Sequence, residues 1–409
     1  MAGLELFFFF LFAVAAPLSI AALNAAQGGL TLFFIVRAVA GKWRPGPAAW
    51  ILMAWFAWEV VCALASPLPS VALSGVLNFW SWTAFLTATA LPWAIRQHLA
   101  KWTNYLAVSM ILTLPASLTE FFLGTDIFHR QALWQKVPVG AVNAYGYFSH
   151  HLTYAGAMSV GTCLLAAAIL YRRDGDPGEK PGRGSSLGRG LVGAGMAAGL
   201  AGVIMSLARS YAIGLGAALP VLLWAKGSKR VLQAGAACVL LVLLLVAFGP
   251  SSIRARATSM WDLNNPSSAE RIYLWKAALV QWSERPFMGW GPGTYAQTAG
   301  PYKAPYARFI HYPGSPPGFR TTGHCHNLYL MMALQTGIVG LALFLAFLAA
   351  VVRQALRQGD PALKWGVLAA LAAFLVGGLF EYNGGDVEVA TLLFFLMGLA
   401  ASGREEVMR

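Results

Sequence analysis

The chain has 409 residues, of which 58% are hydrophobic and only 11% are charged, and its mean hydropathy is +0.60. An ordinary soluble domain carries about 25% charged residues, so these proportions exclude that class. We therefore predict an all-α polytopic membrane protein.

Long apolar runs recur along the chain. A membrane-spanning helix needs roughly 20 mostly apolar residues. The runs predict about twelve such helices, uncertain by about two, at residues 5–22, 24–40, 48–65, 79–95, 103–123, 152–171, 188–206, 210–225, 231–248, 326–351, 364–380 and 387–402. The first run lacks the basic segment of a cleaved signal peptide and leads directly into the second, so we expect it to be retained as a helix.

The segments between the runs predict five regions. Residues 1–171 hold the first six spans, and a segment rich in Gly, Pro and charge at 172–190 is typical of a cytoplasmic linker. Spans seven to nine fall in 191–248, and spans ten to twelve with a cytoplasmic C-terminus fall in 326–409. The connection at 249–325 is far longer than the others, and such loops are usually functional or disordered.

Basic residues on short loops indicate the orientation of the spans. With the N-terminus inside, most of the Lys and Arg residues lie on predicted inner segments, and both termini are cytoplasmic. The long outer loop nevertheless contains eight basic residues against three acidic ones, which suggests that it holds a polyanion or a phosphate. The alternative is that a loop of this length is simply exempt from the charge rule.

Histidines also favour the outer side. His98 is predicted to face inward, whereas six others are predicted to face outward: His129, His150, His151, His311, His324 and His326. We therefore expect any chemistry to take place outside the cytoplasm.

The long loop should contain a helix followed by a turn. In "SSAERIYLWKAALVQWSE", Ser267 and Glu270 have the spacing of a capping box, and the apolar residues recur at helical intervals. This predicts an amphipathic helix lying against the membrane or the helix bundle. The sequence "GWGPGTY" at 289–295 either only turns the chain or presents backbone N–H groups to a phosphate.

The tenth predicted span begins at His326. An ideal helix from that residue would bring Gly337 and Gly340 within about 20° and 40° of the histidine's face. The glycines would open a groove or admit a neighbouring helix. The helix dipole would keep the imidazole neutral and able to act as a general base. The alternative is an interfacial histidine above a glycine packing seam.

Four stretches carry a resemblance to a known family. "HNLYLMMALQTGIVG" fits the pattern H-[N/S/Q]-x9-G-x-x-[G/T/Y], which resembles the signature of the O-antigen ligases, relatives of O-antigen polymerases and protein O-oligosaccharyltransferases. "SLARSYAIGLG" is similar to the family's R-x3-L motif, with Ile213 in place of leucine. The loop around Arg271, with its following tryptophan, proline and glycine-rich turn, and "NAYGYFSHHLTYAGAM" at 143–158 also resemble this group.

The resemblance implies a GT-C-like fold with one large periplasmic loop in the bacterial inner membrane. It implies an undecaprenyl-diphosphate-linked O-antigen as the donor and the lipid A core oligosaccharide as the acceptor, with no nucleic-acid partner. His326 would be the general base, and Arg209 and Arg271 would bind the diphosphate. Further residues expected to line the substrate path are His324, Asn327, Arg130, His150, His151, Gly337 and Gly340.

We predict neither a metal nor another cofactor. The two histidines of "HCH" at 324–326 have no neighbouring acids in the sequence, and zinc needs three or four ligands. The outward acids Glu381, Asp386 and Glu388 do not have the spacing of a ligand pair on one turn. The alternatives left open are a polymerase or a protein O-oligosaccharyltransferase. A third is a lipid-linked glycan transporter that uses Glu59 and Glu120 along its path.

Overall fold

The computed structural model describes residues 2–78, 80–124, 143–171, 183–224, 266–309 and 323–402, together with Gln233, Leu240, Leu244 and Phe248. Within these ranges all regular structure is helical, as the composition predicted. The α-helices are Ala2–Ala15, Ile20–Val39, Pro47–Leu64, Pro69–Asn78, Thr83–Thr89, Trp93–Arg96, Leu99–Leu112, Leu114–Leu123, His151–Tyr171, Arg183–Met205, Arg209–Trp224, Pro266–Glu284, Tyr295–Thr298, Gly300–Lys303, Leu328–Leu356, Pro361–Gly377 and Val387–Ala401. Short 3₁₀ helices are Trp80–Trp82, Ala304–Phe309 and Asn383–Gly385.

Several of these helices are suited to crossing a membrane. In the described ranges seven are long and apolar enough, namely Ile20–Val39, Pro47–Leu64, Pro69–Thr89, Leu99–Leu123, His151–Tyr171, Gly188–Met205 and Leu328–Leu356. Four shorter apolar helices accompany them: Gly3–Ala15, Arg209–Trp224, Pro361–Gly377 and Val387–Ala401. The chain is therefore a helical membrane protein, and the predicted ninth span at 231–248 lies almost wholly outside the described residues.

Several predicted boundaries differ from the structure, including those of the first span, the fourth span and the linker. The first helix ends at Ala15 rather than at 22, and the fourth apolar segment runs over Pro69–Thr89 rather than 79–95. Pro92 disfavours helical backbone in the residue before it, which is consistent with an end before Leu91. The predicted linker at 172–190 is shorter than expected, since the following helix already begins at Arg183. Its preceding residues, 172–182, lie outside the described part of the chain.

The helix His151–Tyr171 forms the centre of the bundle. Almost all of its side chains are buried, and it packs against Arg183–Met205 on one side and Pro361–Gly377 on another. The first contact is very close, because a Cβ on Gly199 would lie 2.2 Å from the Thr162 hydroxyl oxygen. Small residues permit such approach between helices in a membrane, where burial gives little driving force between apolar surfaces.

The two ends of the bundle differ in chemistry. At one end, Arg96 donates a hydrogen bond to the carbonyl of Ser402 (3.1 Å), and the Gln358 side chain donates to the same carbonyl. The helix Leu328–Leu356, which ends beside Gln358, starts two residues after His326. A helix of 29 residues spans about 40 Å, so His326 lies at the opposite end from these groups.

The helix Leu328–Leu356 is broken at Gly337, whose φ of 67° and ψ of −173° are not helical. The break leaves carbonyl groups without helical partners. The loop and the Trp58 side chain donate hydrogen bonds to these carbonyls instead. Trp290 N donates to Leu334 O (2.7 Å) and Gly291 N donates to Gln335 O (3.0 Å), while the Trp58 indole donates to Thr336 O (2.9 Å). Every buried backbone group needs such a partner. The segment 286–291 is therefore docked onto the kink through main-chain atoms.

We expect Gly337→Ala to loosen this docking. A Cβ at Gly337 would lie 2.0 Å from Phe287 O, and a non-glycine residue at this φ and ψ costs roughly 1–3 kcal/mol before any clash. The expected result is a lower Tm and faster proteolysis within residues 266–309. Gly28→Ala is the matched control, since a Cβ at Gly28 meets nothing within 4 Å. Equal stability of the two variants would contradict this account.

Candidate functional site

His326 lies just before the kinked helix in a left-handed conformation, with φ of 52°. The next residue, Asn327, is the N-cap, and its side-chain oxygen accepts a hydrogen bond from Leu330 N (2.9 Å). Its amide also donates to Leu379 O (2.9 Å), and Leu328 N donates to Gly378 O (2.7 Å). These bonds fix the start of this helix against the turn that follows Pro361–Gly377.

That turn carries Glu381, which faces the histidine. The Nδ1 atom of His326 lies 2.8 Å and 3.0 Å from the two carboxylate oxygens of Glu381, which is only 2% exposed. A carboxylate can only accept, so Nδ1 carries the proton and Nε2 carries the lone pair. The pair thus has the geometry of an oriented general base.

Arg271 joins this pair from the loop helix Pro266–Glu284. One terminal nitrogen of its guanidinium lies 3.5 Å from Glu381 Oε2, and its Nε donates to Phe380 O (3.0 Å). The indole of Trp275, one turn further along, reaches His326 O at 3.4 Å. Burial alone would raise the pKa of Glu381, but His326, His324 and Arg271 together hold that pKa well below its usual value. The carboxylate is therefore ionised at neutral pH.

His324 is the second imidazole of the site. Its ring makes an edge contact with the His326 ring at a centroid distance of 4.3 Å, and its Nδ1 accepts a hydrogen bond from His326 N (3.3 Å). Desolvation lowers the pKa of His324 to about 4, with a smaller effect in the same direction from His326. His324 is therefore neutral at pH 7 and positions His326 through the backbone.

The lowered pKa of His324 predicts an acid-sensitive site. An unfolded histidine binds a proton near pH 6.5, whereas this one does so only near pH 4, so the unfolded chain binds more protons between these values. Stability should fall as the pH drops through that window. Thermal unfolding of the wild type and of His324→Asn between pH 7 and pH 4 measures the effect. The prediction is contradicted if the Tm of the wild type does not fall more steeply with decreasing pH than the Tm of His324→Asn.

The structure brings the start of the helix Arg209–Trp224 to the same end of the bundle. A Cβ on Gly377 would lie 3.3 Å from Ser210 O, and Gly377 is four residues before Glu381. The Tyr211 side chain is within electrostatic range of Asp386. The backbone at Arg209 therefore lies near the turn that carries Glu381, while the side chains of Arg271 and His326 both meet Glu381.

Three further residues were predicted to line the substrate path, and the two that the structure describes have different environments. His150 is exposed, and the charges of Glu381 and His326 both act on its pKa, which desolvation lowers. His151 is buried with its ring 5.7 Å from that of Tyr145. Arg130 lies outside the described residues.

The prediction that Gly337 and Gly340 share a helix face with His326 was wrong. His326 precedes the helix, and the break at Gly337 ends the regular rotation of 100° per residue. A Cβ on Gly337 would meet the backbone of Phe287, and one on Gly340 would meet Thr336 of the same helix. The two glycines thus serve the docking of the loop and the kink.

One expectation for the loop needs correction, and one alternative can be chosen. The helix starts at Pro266, so Ser267 lies inside it rather than at the N-cap, and Arg271 lies in the second turn. In the glycine-rich turn, the N–H groups of Gly289, Trp290 and Gly291 donate to Arg285, Leu334 and Gln335 carbonyls. These three amides are engaged in holding the loop and are not directed at a ligand.

The sequence argument did not pair Glu381 with His326. The "HCH" histidines have no neighbouring acid in the sequence, but the fold brings one to them, since His324, His326 and Glu381 place ligand atoms within 4.8 Å of one another. The available signal was a carboxylate in a short turn between two apolar helices, where charged groups are usually functional.

Together, these features define a helical membrane protein with a carboxylate–imidazole–guanidinium cluster at one end of its bundle. Residues 194–345 match the sequence model of a family described as O-antigen ligase, which confirms the resemblance over a segment that contains Arg209, Arg271 and His326. Over 121 residues the chain is 26% identical to a protein of Rickettsia bellii (strain RML369-C) named "Putative polysaccharide ligase". That alignment covers 29% of this chain and 28% of the relative, so the chain spans less than a third of the relative's length.

Proposed function

We propose that this protein transfers O-antigen polysaccharide from undecaprenyl diphosphate to a sugar hydroxyl of the lipid A core. The observation that carries the proposal is the hydrogen bond of His326 Nδ1 to Glu381, at 2.8 Å. His326 lies inside the segment that matches the ligase family, and Glu381 lies beyond its end. An imidazole whose Nδ1 proton is held by a carboxylate presents Nε2 as a base toward an acceptor hydroxyl.

In the proposed reaction His326 Nε2 removes the proton from the acceptor hydroxyl as its oxygen attacks the anomeric carbon. The bond from that carbon to the diphosphate breaks, and the sugar configuration inverts. The imidazolium that forms is stabilised by the Glu381 carboxylate, which remains ionised.

The departing diphosphate is an anion, and positive charge next to it would stabilise it as a leaving group. Arg271 lies beside Glu381 and the backbone of Arg209 starts a helix near the same turn, so two arginines lie at this end of the bundle. Guanidinium binds phosphate oxygens in a bidentate manner and stays charged at any physiological pH. This supports a reaction in which arginines, rather than a metal ion, neutralise the leaving group, and we expect transfer to persist in a chelator.

The proposed site faces the periplasm, and both termini are cytoplasmic. The support is the separation along the helix Leu328–Leu356 of the His326 end from the end that carries Arg353 and Arg357. Basic residues favour the cytoplasmic side. Undecaprenyl-diphosphate-linked donor and lipid A core would then approach from the outer leaflet.

One assay tests the proposed function and its alternatives. The purified protein in detergent receives a defined lipid-linked donor and lipid A core acceptors of stepwise truncation, in the presence of a chelator. Glycan joined to the core identifies a ligase, whereas lengthening of the lipid-linked glycan identifies a polymerase. Glycan on a protein acceptor identifies a protein O-oligosaccharyltransferase. Absence of any transfer, with donor movement across a vesicle membrane, would leave only the transporter.

A further inference from the structure

His324, His326 and Glu381 form a ligand set that the proposed transfer reaction does not need. Glu381 Oε1 lies 2.8 Å from His326 Nδ1 and 3.7 Å from His324 Nδ1. Zinc binds nitrogen at about 2.0–2.1 Å and oxygen at about 2.0–2.2 Å in tetrahedral sites, so neighbouring ligand atoms lie about 3.3 Å apart. The two observed separations bracket that value, and small side-chain rotations would satisfy it.

Two of the three groups are in the form that binds a metal, and His326 needs only the transfer of its ring proton from Nδ1 to Nε2. The backbone N–H of His326 points at His324 Nδ1, so this atom carries a lone pair. Glu381 accepts from His326, which requires the carboxylate. Histidine and carboxylate ligands together suit zinc and its transition-metal neighbours better than magnesium, which prefers oxygen.

Arg271 limits how tightly a cation can bind. Its guanidinium lies 3.5 Å from Glu381 Oε2, whereas the two imidazoles share Oε1. A metal on Oε1 would face a fixed positive charge across the same carboxylate, and this repulsion weakens binding. Glu270 and His150 are also within electrostatic range of the cluster. The site is therefore suited to a metal that binds reversibly from solution rather than to a permanent cofactor.

We propose that His324, His326 and Glu381 bind a divalent transition-metal cation such as Zn²⁺, and that this binding inhibits the enzyme. The inhibition rests on the proposed function of His326 as the base. For the metal to bind Nδ1 of His326, the single proton of the neutral ring leaves Nδ1 and is carried on Nε2. An Nε2–H cannot accept the proton of a hydroxyl, and transfer stops.

Direct zinc binding tests the site without any reliance on activity. Equilibrium dialysis of the full-length protein in detergent with Zn²⁺ should give one zinc per chain. His324→Ala should weaken its affinity by at least about tenfold. Arg271→Gln should tighten it by at least about threefold, since the repelling charge is gone. His150→Ala, a nearby imidazole outside the ligand set, should bind as the wild type does. Equal affinity in the wild type and His324→Ala would overturn the site.

Inhibition is then measured against each protein's own zinc-free rate. Zn²⁺ should stop transfer by the wild type, EDTA should restore it, and Mg²⁺ at the same concentration should have no effect. The zinc concentration for half inhibition should rise by at least about tenfold in His324→Ala. If zinc binds to the protein but the rate of glycan transfer does not fall, the proposed inhibition by zinc is overturned. If the protein transfers no glycan even without zinc, the proposed function fails, while the binding comparison still decides the site.

Discussion

His326→Ala should transfer glycan about 10² to 10⁴ times more slowly than the wild type, because it lacks the proposed general base. Donor binding should persist, since the arginines proposed to hold the diphosphate are unchanged. The measurement is the rate at which lipid A core gains a polysaccharide ladder, together with equilibrium binding of labelled lipid-linked donor. Reduced turnover with retained binding separates the loss of a base from the loss of the fold.

The left-handed conformation at position 326 requires a second variant. His326→Asn tolerates a positive φ better than alanine does, so its activity reports on the imidazole rather than on backbone strain. His98→Ala is the matched control, because His98 packs against Phe10 and precedes the helix Leu99–Leu112 at the end of the bundle where Arg96 meets Ser402. Transfer at the full rate in His326→Asn would remove His326 from the mechanism.

Glu381→Gln should lower the transfer rate by roughly 10² to 10⁴, close to the effect of removing the base itself. The glutamine amide can donate a hydrogen bond to Nδ1, which moves the imidazole proton to Nε2 and occupies the lone pair that the reaction needs. The variant also leaves Arg271 beside a neutral group. Glu381→Asp keeps a carboxylate and should retain more activity than Glu381→Gln.

The control for this position is Glu388→Gln, in the first turn of the helix Val387–Ala401. It removes one carboxylate from the same region without touching the imidazole, and near-full transfer is expected. The rates of all variants are compared at saturating donor, so that differences in binding do not enter. Glu381→Gln activity within a factor of two of Glu388→Gln would exclude the carboxylate from a positioning role.

Apolar composition was sufficient to predict the helical membrane fold, and the motif around His326 was sufficient to predict the similarity to the O-antigen ligase family over residues 194–345. The pairing with Glu381 could not be predicted, since the two residues are 55 positions apart and belong to different helix–turn segments. The break at Gly337 was also missed. It depends on a loop that supplies donors to the freed carbonyls, and helical periodicity contains no information about such a tertiary contact.

Asp386 is another residue whose tertiary environment could not be predicted from the sequence. The sequence grouped it with Glu381 and Glu388 as one outer turn, but the structure gives these acids different environments. Desolvation and the nearby Glu381 charge raise the pKa of Asp386 to about 8, while its carboxylate accepts from the Thr153 hydroxyl at 3.1 Å. Neighbours along the chain thus differ in protonation because they face different helices.

The seam between segment 286–291 and the broken helix uses main-chain N–H and C=O groups, which every amino acid except proline possesses. Its side chains can therefore be exchanged widely, provided that glycine remains at 289, 291 and 337, where the backbone has positive φ and a Cβ would strike neighbouring residues. A protein engineer could change the sequence of the loop that carries Arg271 while keeping this attachment intact.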